Sequence, residues 1–190
     1  RFNLNSKKII EFGCGTAAHA KLFAECEFTI HCVDISESML DVARLKTLAL
    51  PNNISNRISF EYGDIRNYRN REVYDVVLSL FHVFSYQTSN KDLVDSFRTA
   101  AKHLNSGGIL IFDYWYGPGV LGDKPHTRIR RAEDDSTSLL RLAESKLIHA
   151  ENRVEVDFTI FSDKDDQKEV ISEKHNMRYL FINEILMMSE

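Results

Sequence analysis

The sequence predicts an α/β fold, a parallel sheet flanked by helices and followed by an antiparallel β meander, and three observations predict it. Between Lys8 and Tyr114 short apolar runs alternate with amphipathic stretches, the pattern of βαβ units. A glycine turn, Gly13–Gly15, separates the first apolar run from the first amphipathic one. Beyond Tyr114 the period drops to two: Val154, Val156, Phe158 and Ile160 alternate with Glu155, Asp157 and Thr159, as on a strand with one wet face.

The elements follow in order. Lys8–Phe12 is the first strand and Ala17–Glu25 the first helix. Phe28–Val33 is the second strand. Ser36 stands where it can cap a helix over Glu37–Leu48, on which Met39, Leu40, Ala43 and Leu48 recur near helical spacing. Pro51–Asn56 reads as a loop and Ile58–Tyr62 as the third strand. Val73–Leu80 reads as an apolar fourth strand, expected to be buried on both faces. A helix over Asp92–Leu104 ends in a turn at Asn105–Gly108, and Gly108–Tyr114 is the fifth strand. Thr127–Asp134, Leu139–Ala150, Arg153–Ser162 and Val170–Phe181 form the meander, with a polar turn at Asp163–Gln167. Asn183–Glu190 begins a helix. The expected organisation is a ligand-binding core over 1–122, a β insertion over 123–181 and the start of a C-terminal helix over 182–190.

Composition narrows the function classes. The 190 residues suit one domain of ordinary size, and 43% hydrophobic residues are enough for a core. A net charge of -4 argues against a nucleic-acid binder, which carries a basic stripe. No stretch is apolar enough to span a bilayer, and no signal segment opens the chain. It begins at Arg1 rather than Met, which leaves room for an upstream segment. Cys14, Cys26 and Cys32 are odd in number and form no CxxC pair; free thiols in a reducing, cytoplasmic compartment are expected. The histidines lack ligand spacing, so no metal site is expected.

The chemistry centres on Glu11-Phe12-Gly13-Cys14-Gly15-Thr16-Ala17-Ala18, between a strand and a helix. Glycines let the backbone turn sharply and come close to a ligand. Asp34, at the end of the second strand, puts a carboxylate beside the turn where ribose hydroxyls could donate to it. Gly13, Gly15 and Ala18 also satisfy the dinucleotide pattern G-x-G-x-x-G/A. Glu11 separates the two readings: an acid there would repel a pyrophosphate but suits a cationic ligand.

Glu11–Thr16 resembles the first motif of class I S-adenosylmethionine-dependent methyltransferases, acid-x-Gly-x-Gly-x-Gly, with Ala17 at the third glycine. Val33-Asp34-Ile35-Ser36 with Met39 resembles the second motif, Gly63-Asp64-Ile65 the third, Tyr74–Leu80 the fourth strand, and Leu104–Gly108 the turn before the fifth. The resemblance implies a Rossmann-like sheet that binds S-adenosylmethionine. It puts Glu11, Gly13, Cys14 and Gly15 in the cofactor turn, Asp34 at the ribose, Met39 against adenine and Asp64 at the adenine amino group, and adds Ile35, Ile65 and Leu80 to the cofactor site. Cys14 reads as a small turn residue rather than a nucleophile.

Acceptor residues are expected after strands four and five, where ligands bind in such sheets. Phe81, Tyr86 and the sole tryptophan, Trp115, would wall a dry pocket near the sulfonium. His82 and Tyr116 are the catalytic candidates, His82 as base or acceptor-orienting group, and Tyr116 first as a pocket wall and only second as a catalyst. His175 and Arg178 would join the acceptor side if the meander folds over it. The pattern is similar to small-molecule members of the family, the amino-sugar N-methyltransferase and glycine N-methyltransferase-like groups. That implies methyl transfer to N or O of a small-molecule acceptor such as an amino sugar. Alternatives are an NAD(P)-dependent oxidoreductase and a catalytically silent binding module. The family sheet ends with two further strands, which this chain is expected to lack. The exposed edge would then lower stability or be covered by a partner such as a second copy.

Overall fold

The computed structural model describes residues 7–133, 137–164 and 167–189. Asp134, the centre of the expected turn at Asp165 and Asp166, and Glu190 lie outside the described residues. The elements run β1 (Lys8–Phe12), α1 (Ala18–Glu25), β2 (Thr29–Asp34), α2 (Glu37–Leu48), α3 (Asn52–Ser55), β3 (Ile58–Tyr62), β4 (Tyr74–Ser79), a 3-10 turn (Val83–Tyr86), α4 (Asn90–Lys102) and β5 (Leu104–Phe112). Then come β6 (Trp115–Tyr116), α5 (Gly117–Gly122), β7 (Arg128–Glu133), β8 (Thr137–Ile148), β9 (Arg153–Lys164), β10 (Gln167–Leu180) and α6 (Ile182–Ser189).

The chain divides into two compact units. The first gathers the chain up to Phe84, Ser89–Tyr114 and the stretch from Leu186; the second gathers Ser85–Thr88 and Trp115–Ile185. The boundary expected at 122/123 lies eight residues beyond the break at Tyr114/Trp115.

In the first unit five parallel strands lie in the order β3-β2-β1-β4-β5. β1 and β4 are central, and their apolar character follows from having strands on both sides. On one face Ile9, Ile30, Cys32 and Leu78 pack against Ala20 of α1 and Leu40 and Ala43 of α2. Strand alternation turns His31, Ser59 and Glu61 to the other face. There Tyr68, Asn70, Tyr74 and His103 join them in a polar and aromatic network beside a cavity of ≈ 380 Å³. Since Tyr68 donates its hydroxyl proton to Glu61 (2.7 Å), His31 must donate to Tyr68 from Nε2 (2.8 Å) and accept from Ser59 at Nδ1 (2.9 Å). Strand order reverses between β1 and β4, the switch point where ligands bind at the carboxyl ends of such sheets.

In the second unit β7–β10 form the expected meander, antiparallel throughout. The alternation read in β9 holds at its start, where Val154 and Val156 are buried with Ala143 and Tyr179, whereas Phe158, Thr159 and Ile160 are all partly buried.

Several expectations are corrected. Pro51–Asn56 is not a plain loop, because Asn52–Ser55 makes one helical turn after Pro51, a residue that cannot obstruct a helix start. The helix over 92–104 begins two residues earlier, at Asn90. The turn at Asn105–Gly108 is absorbed as an irregularity inside β5. Register jumps from Tyr74↔Leu104 to Val76↔Ile109, and Gly107 takes up the extra length at φ 79°. β4 is not uniformly apolar, since the Asp75 carboxylate accepts from Lys8 N (3.1 Å) and Asn105 Nδ2 (2.9 Å). β6 was not anticipated; its two residues pair in parallel with Tyr179 and Leu180 of β10, too short a run to leave a periodic signal.

Candidate functional site

The carboxyl ends of the parallel strands bring the glycine turn, Asp34 and the segment after β4 to one edge of the first unit. Gly13 sits at φ 70°, and a Cβ there would stand 2.3 Å from the Val83 side chain. Its lack of a side chain therefore serves two ends, the left-handed backbone and the seating of Val83. Gly15, at φ 52°, faces open space, with no atom within 4 Å of where a Cβ would be.

The turn's amides are largely spent inside the protein. Gly13 N donates to Val33 O (2.8 Å), Cys14 N to the same oxygen (3.3 Å), and Ala17 N to Cys14 O (2.9 Å). Gly15 N donates to Asp34 Oδ2 (2.7 Å), and Ser36 N to Asp34 Oδ1 (2.8 Å). Asp34 thus fastens the turn to the start of α2, whose cap is Ser36 as the sequence predicts. Each carboxylate oxygen still has capacity for a further donor. A dinucleotide turn needs its amides free for pyrophosphate; four of these are engaged.

Glu11 carries the electrostatics. It is 1% exposed, and its Oε1 lies 3.1 Å from Nδ1 of His19 on α1. Its Oε2 is buried and has no hydrogen-bond partner among the described residues. Burial raises the Glu11 carboxyl above its ordinary value, His19 pulls it back down, and Asp34 adds to the rise. A buried anion with one empty oxygen is a receptor for a cation or a donor.

Of the other cofactor candidates, Cys14 and Ile65 are buried while Ile35 and Met39 are exposed on the surface. Leu80 is partly buried. The Cys32 thiol, hydrogen-bonded to Cys14 and buried, titrates well above its usual range, which suits a packing role for the pair. Asp64 is engaged: Arg66 Nε lies 2.9 Å from each of its oxygens, and its carboxyl is held below the usual range by that guanidinium. Gly63 is packed tightly, as a Cβ there would fall 2.4 Å from the Tyr68 ring.

On the acceptor side, Phe81 and His82 both have φ of 68°, a strained conformation for residues with side chains. Phe81 is 79% exposed. Asp113, just past β5, holds His82 in place: His82 N donates to Oδ1 (2.6 Å), and Nδ1 stands 3.5 Å from Oδ2. The remaining candidates belong to the second unit. Tyr86 OH meets His175 Nδ1 at 2.7 Å, and His175 Nε2 lies 3.3 Å from Glu173. Burial and Glu173 raise the Tyr86 phenol. Ser85 Oγ accepts from Trp115 N (2.8 Å), and Tyr116 is exposed. Arg178 is buried in an ion pair with Glu184 and donates to Thr88 O (3.4 Å).

Two residues escaped the sequence reading. His19 lies eight positions after Glu11 and returns to it only because α1 packs back along the sheet. Asp113 carries no signal of its own in the sequence, where it reads as part of the fifth strand. Among the described residues no group of histidine, cysteine and acidic side chains could hold a metal ion.

Comparison with known proteins adds to this geometry. The family described as methyltransferase domain matches residues 9–108, just over half of the 190. The chain is 26% identical over 157 residues to dTDP-3-amino-3,4,6-trideoxy-alpha-D-glucopyranose N,N-dimethyltransferase of Streptomyces venezuelae, covering 82% of this chain and 62% of that protein. It is 26% identical over 155 residues to dTDP-4-amino-2,3,4,6-tetradeoxy-D-glucose N,N-dimethyltransferase of Saccharopolyspora spinosa, covering 82% of this chain and 59% of that one. The chain therefore spans about three-fifths of these relatives' length. Among solved structures, the sugar N-methyltransferase KedS8 from a Streptoalloteichus species shares the fold with a TM-score of 0.83 at 20% identity, over 96% of this chain and 70% of that one.

Proposed function

Because this chain belongs to the methyltransferase domain family, we propose that it transfers a methyl group from S-adenosylmethionine to the nitrogen of a small-molecule acceptor of the amino-sugar class. The observation that carries the reading is Glu11: a buried carboxylate at the glycine turn with Oε2 unaccompanied. The residues present fit the cofactor. Its ammonium group is the cation that Oε2 lacks, its ribose can donate to the remaining capacity of Asp34, and the open side of Gly15 leaves room for its backbone. Ile35 and Met39 would flank the adenine, with Ile65 and Leu80 nearby; Asp64 would reach it from its ion pair with Arg66.

The bound cofactor supplies an electrophilic methyl group on a sulfonium. The chain's task is then to hold an unprotonated amine in line with that carbon and exclude water. His82, fixed by Asp113, is the candidate to take the amine proton, with Tyr116 the second candidate. Phe81, Tyr86, Trp115, His175 and Arg178 are the proposed acceptor-side residues. The amino-sugar class is supported by the names of the relatives above. The dinucleotide alternative is disfavoured by Glu11 and by the engaged amides.

Cys14, Cys26 and Cys32 are all free, which supports a reducing, cytoplasmic setting. No helix among the described residues is long and apolar enough to cross a membrane. A homodimer is the oligomeric state this reading includes.

The test is incubation with S-adenosylmethionine and a panel of nucleotide-linked amino sugars, read by mass spectrometry. A gain of one or two methyl groups on the sugar nitrogen is expected. Cofactor binding with no methylation of any amine would favour the silent binding module.

A further inference from the structure

The titratable groups that act on Glu11 are His19 from α1, Asp34 from β2 and the Cys32 thiol. Only His19 can be a cation. Leaving one oxygen of a buried anion without a donor is costly, and His19 meets only the other oxygen. We propose that His19 is a positioning residue for the nucleoside: by pairing with Oε1 it keeps Glu11 ionised and reserves Oε2 for the ammonium of the nucleoside's amino-acid arm. The inference rests on the proposed cofactor. It adds that the charge state of Glu11, and with it the pH range of binding, is set by a residue that need not touch the ligand.

Without the histidine, burial and Asp34 act on Glu11 unopposed, so the carboxyl keeps its proton to higher pH. A neutral carboxyl is a weak receptor for an ammonium group. A nucleoside lacking that group should not sense the change, whereas a merely structural loss would weaken every ligand alike.

The experiment titrates the full chain and its His19→Ala and His19→Lys variants with S-adenosylhomocysteine, which keeps the ammonium group, and with 5′-methylthioadenosine, which lacks it. In His19→Ala, S-adenosylhomocysteine is expected to bind severalfold more weakly near pH 6, where the unopposed carboxyl holds more of its proton, and to recover toward wild type near pH 8. Methylthioadenosine should stay within about twofold throughout, and His19→Lys should restore the lost affinity. Equal losses for both ligands, or none for either, would overturn the proposal.

A ligand-free measurement separates this from the cofactor assignment. The ¹³C carboxyl resonance of Glu11 should titrate at higher pH in His19→Ala than in wild type. An unmoved midpoint refutes the role of His19 even if the nucleoside binds. A moved midpoint in a chain that binds neither nucleoside refutes the cofactor reading and leaves the Glu11–His19 pairing standing.

Discussion

Ala17 occupies left-handed backbone at φ 60°, at the N-cap of α1, where the family motif has its third glycine. An L-residue there costs about 1–2 kcal/mol, part of which the buried methyl group offsets. Ala17→Gly should therefore raise stability by up to about 1 kcal/mol, read as a higher urea midpoint; a lower midpoint would mean that the methyl contact outweighs the strain. Glu11 is the converse case, where function is held at a cost. Glu11→Gln keeps the shape and removes the charge, so it should weaken S-adenosylmethionine binding, read by calorimetry. His82 combines strain with a candidate role. His82→Ala should lower turnover while leaving cofactor affinity intact, and unchanged turnover would remove it from the mechanism.

Two helix caps differ in quality, and the difference can be measured. At α4, Ser89 Oγ accepts from Asp92 N (3.0 Å) and donates to the Asp92 carboxylate (2.7 Å). At α2, Ser36 Oγ accepts from Met39 N at a long 3.4 Å. Ser89→Ala should cost about 1 kcal/mol and Ser36→Ala about half that, in paired urea denaturations. The elements readable from sequence were those with strong local signals. The runs in β1 and β3, the capped α2 and the alternating β9 needed no tertiary knowledge. β6 and the irregular start of β5 depend on pairing with distant strands, which no local period records. The glycine turn, Glu11 and Asp34 were legible because motif spacing reflects backbone constraints. The His19–Glu11 and Asp113–His82 pairs were not, because each joins residues from different elements. For Asp64 the sequence could not reveal that Arg66, two residues on, would claim the carboxylate.

Across the whole molecule, the network on the outer face of the sheet gives stability a pH dependence. His31 and His103 are both held below the ordinary histidine value of 6.5, chiefly by burial. The unfolded chain therefore takes up these protons first as pH falls, so their contribution is complete above 6.5 and is lost as pH drops through the lower folded values. The thermal midpoint should fall between about pH 7 and pH 5, and His31→Gln should flatten that slope; an equal slope in the variant would place the dependence elsewhere. Network, sheet and turn all serve one claim, that the buried acid beside the glycines selects a cationic sulfur nucleoside over a phosphate-bearing one. Isothermal calorimetry of the purified chain with S-adenosylmethionine and, separately, with NAD puts that claim to its most direct test. Saturable heat from the first and none from the second is the expected result; saturation by NAD with a flat trace for S-adenosylmethionine would contradict it.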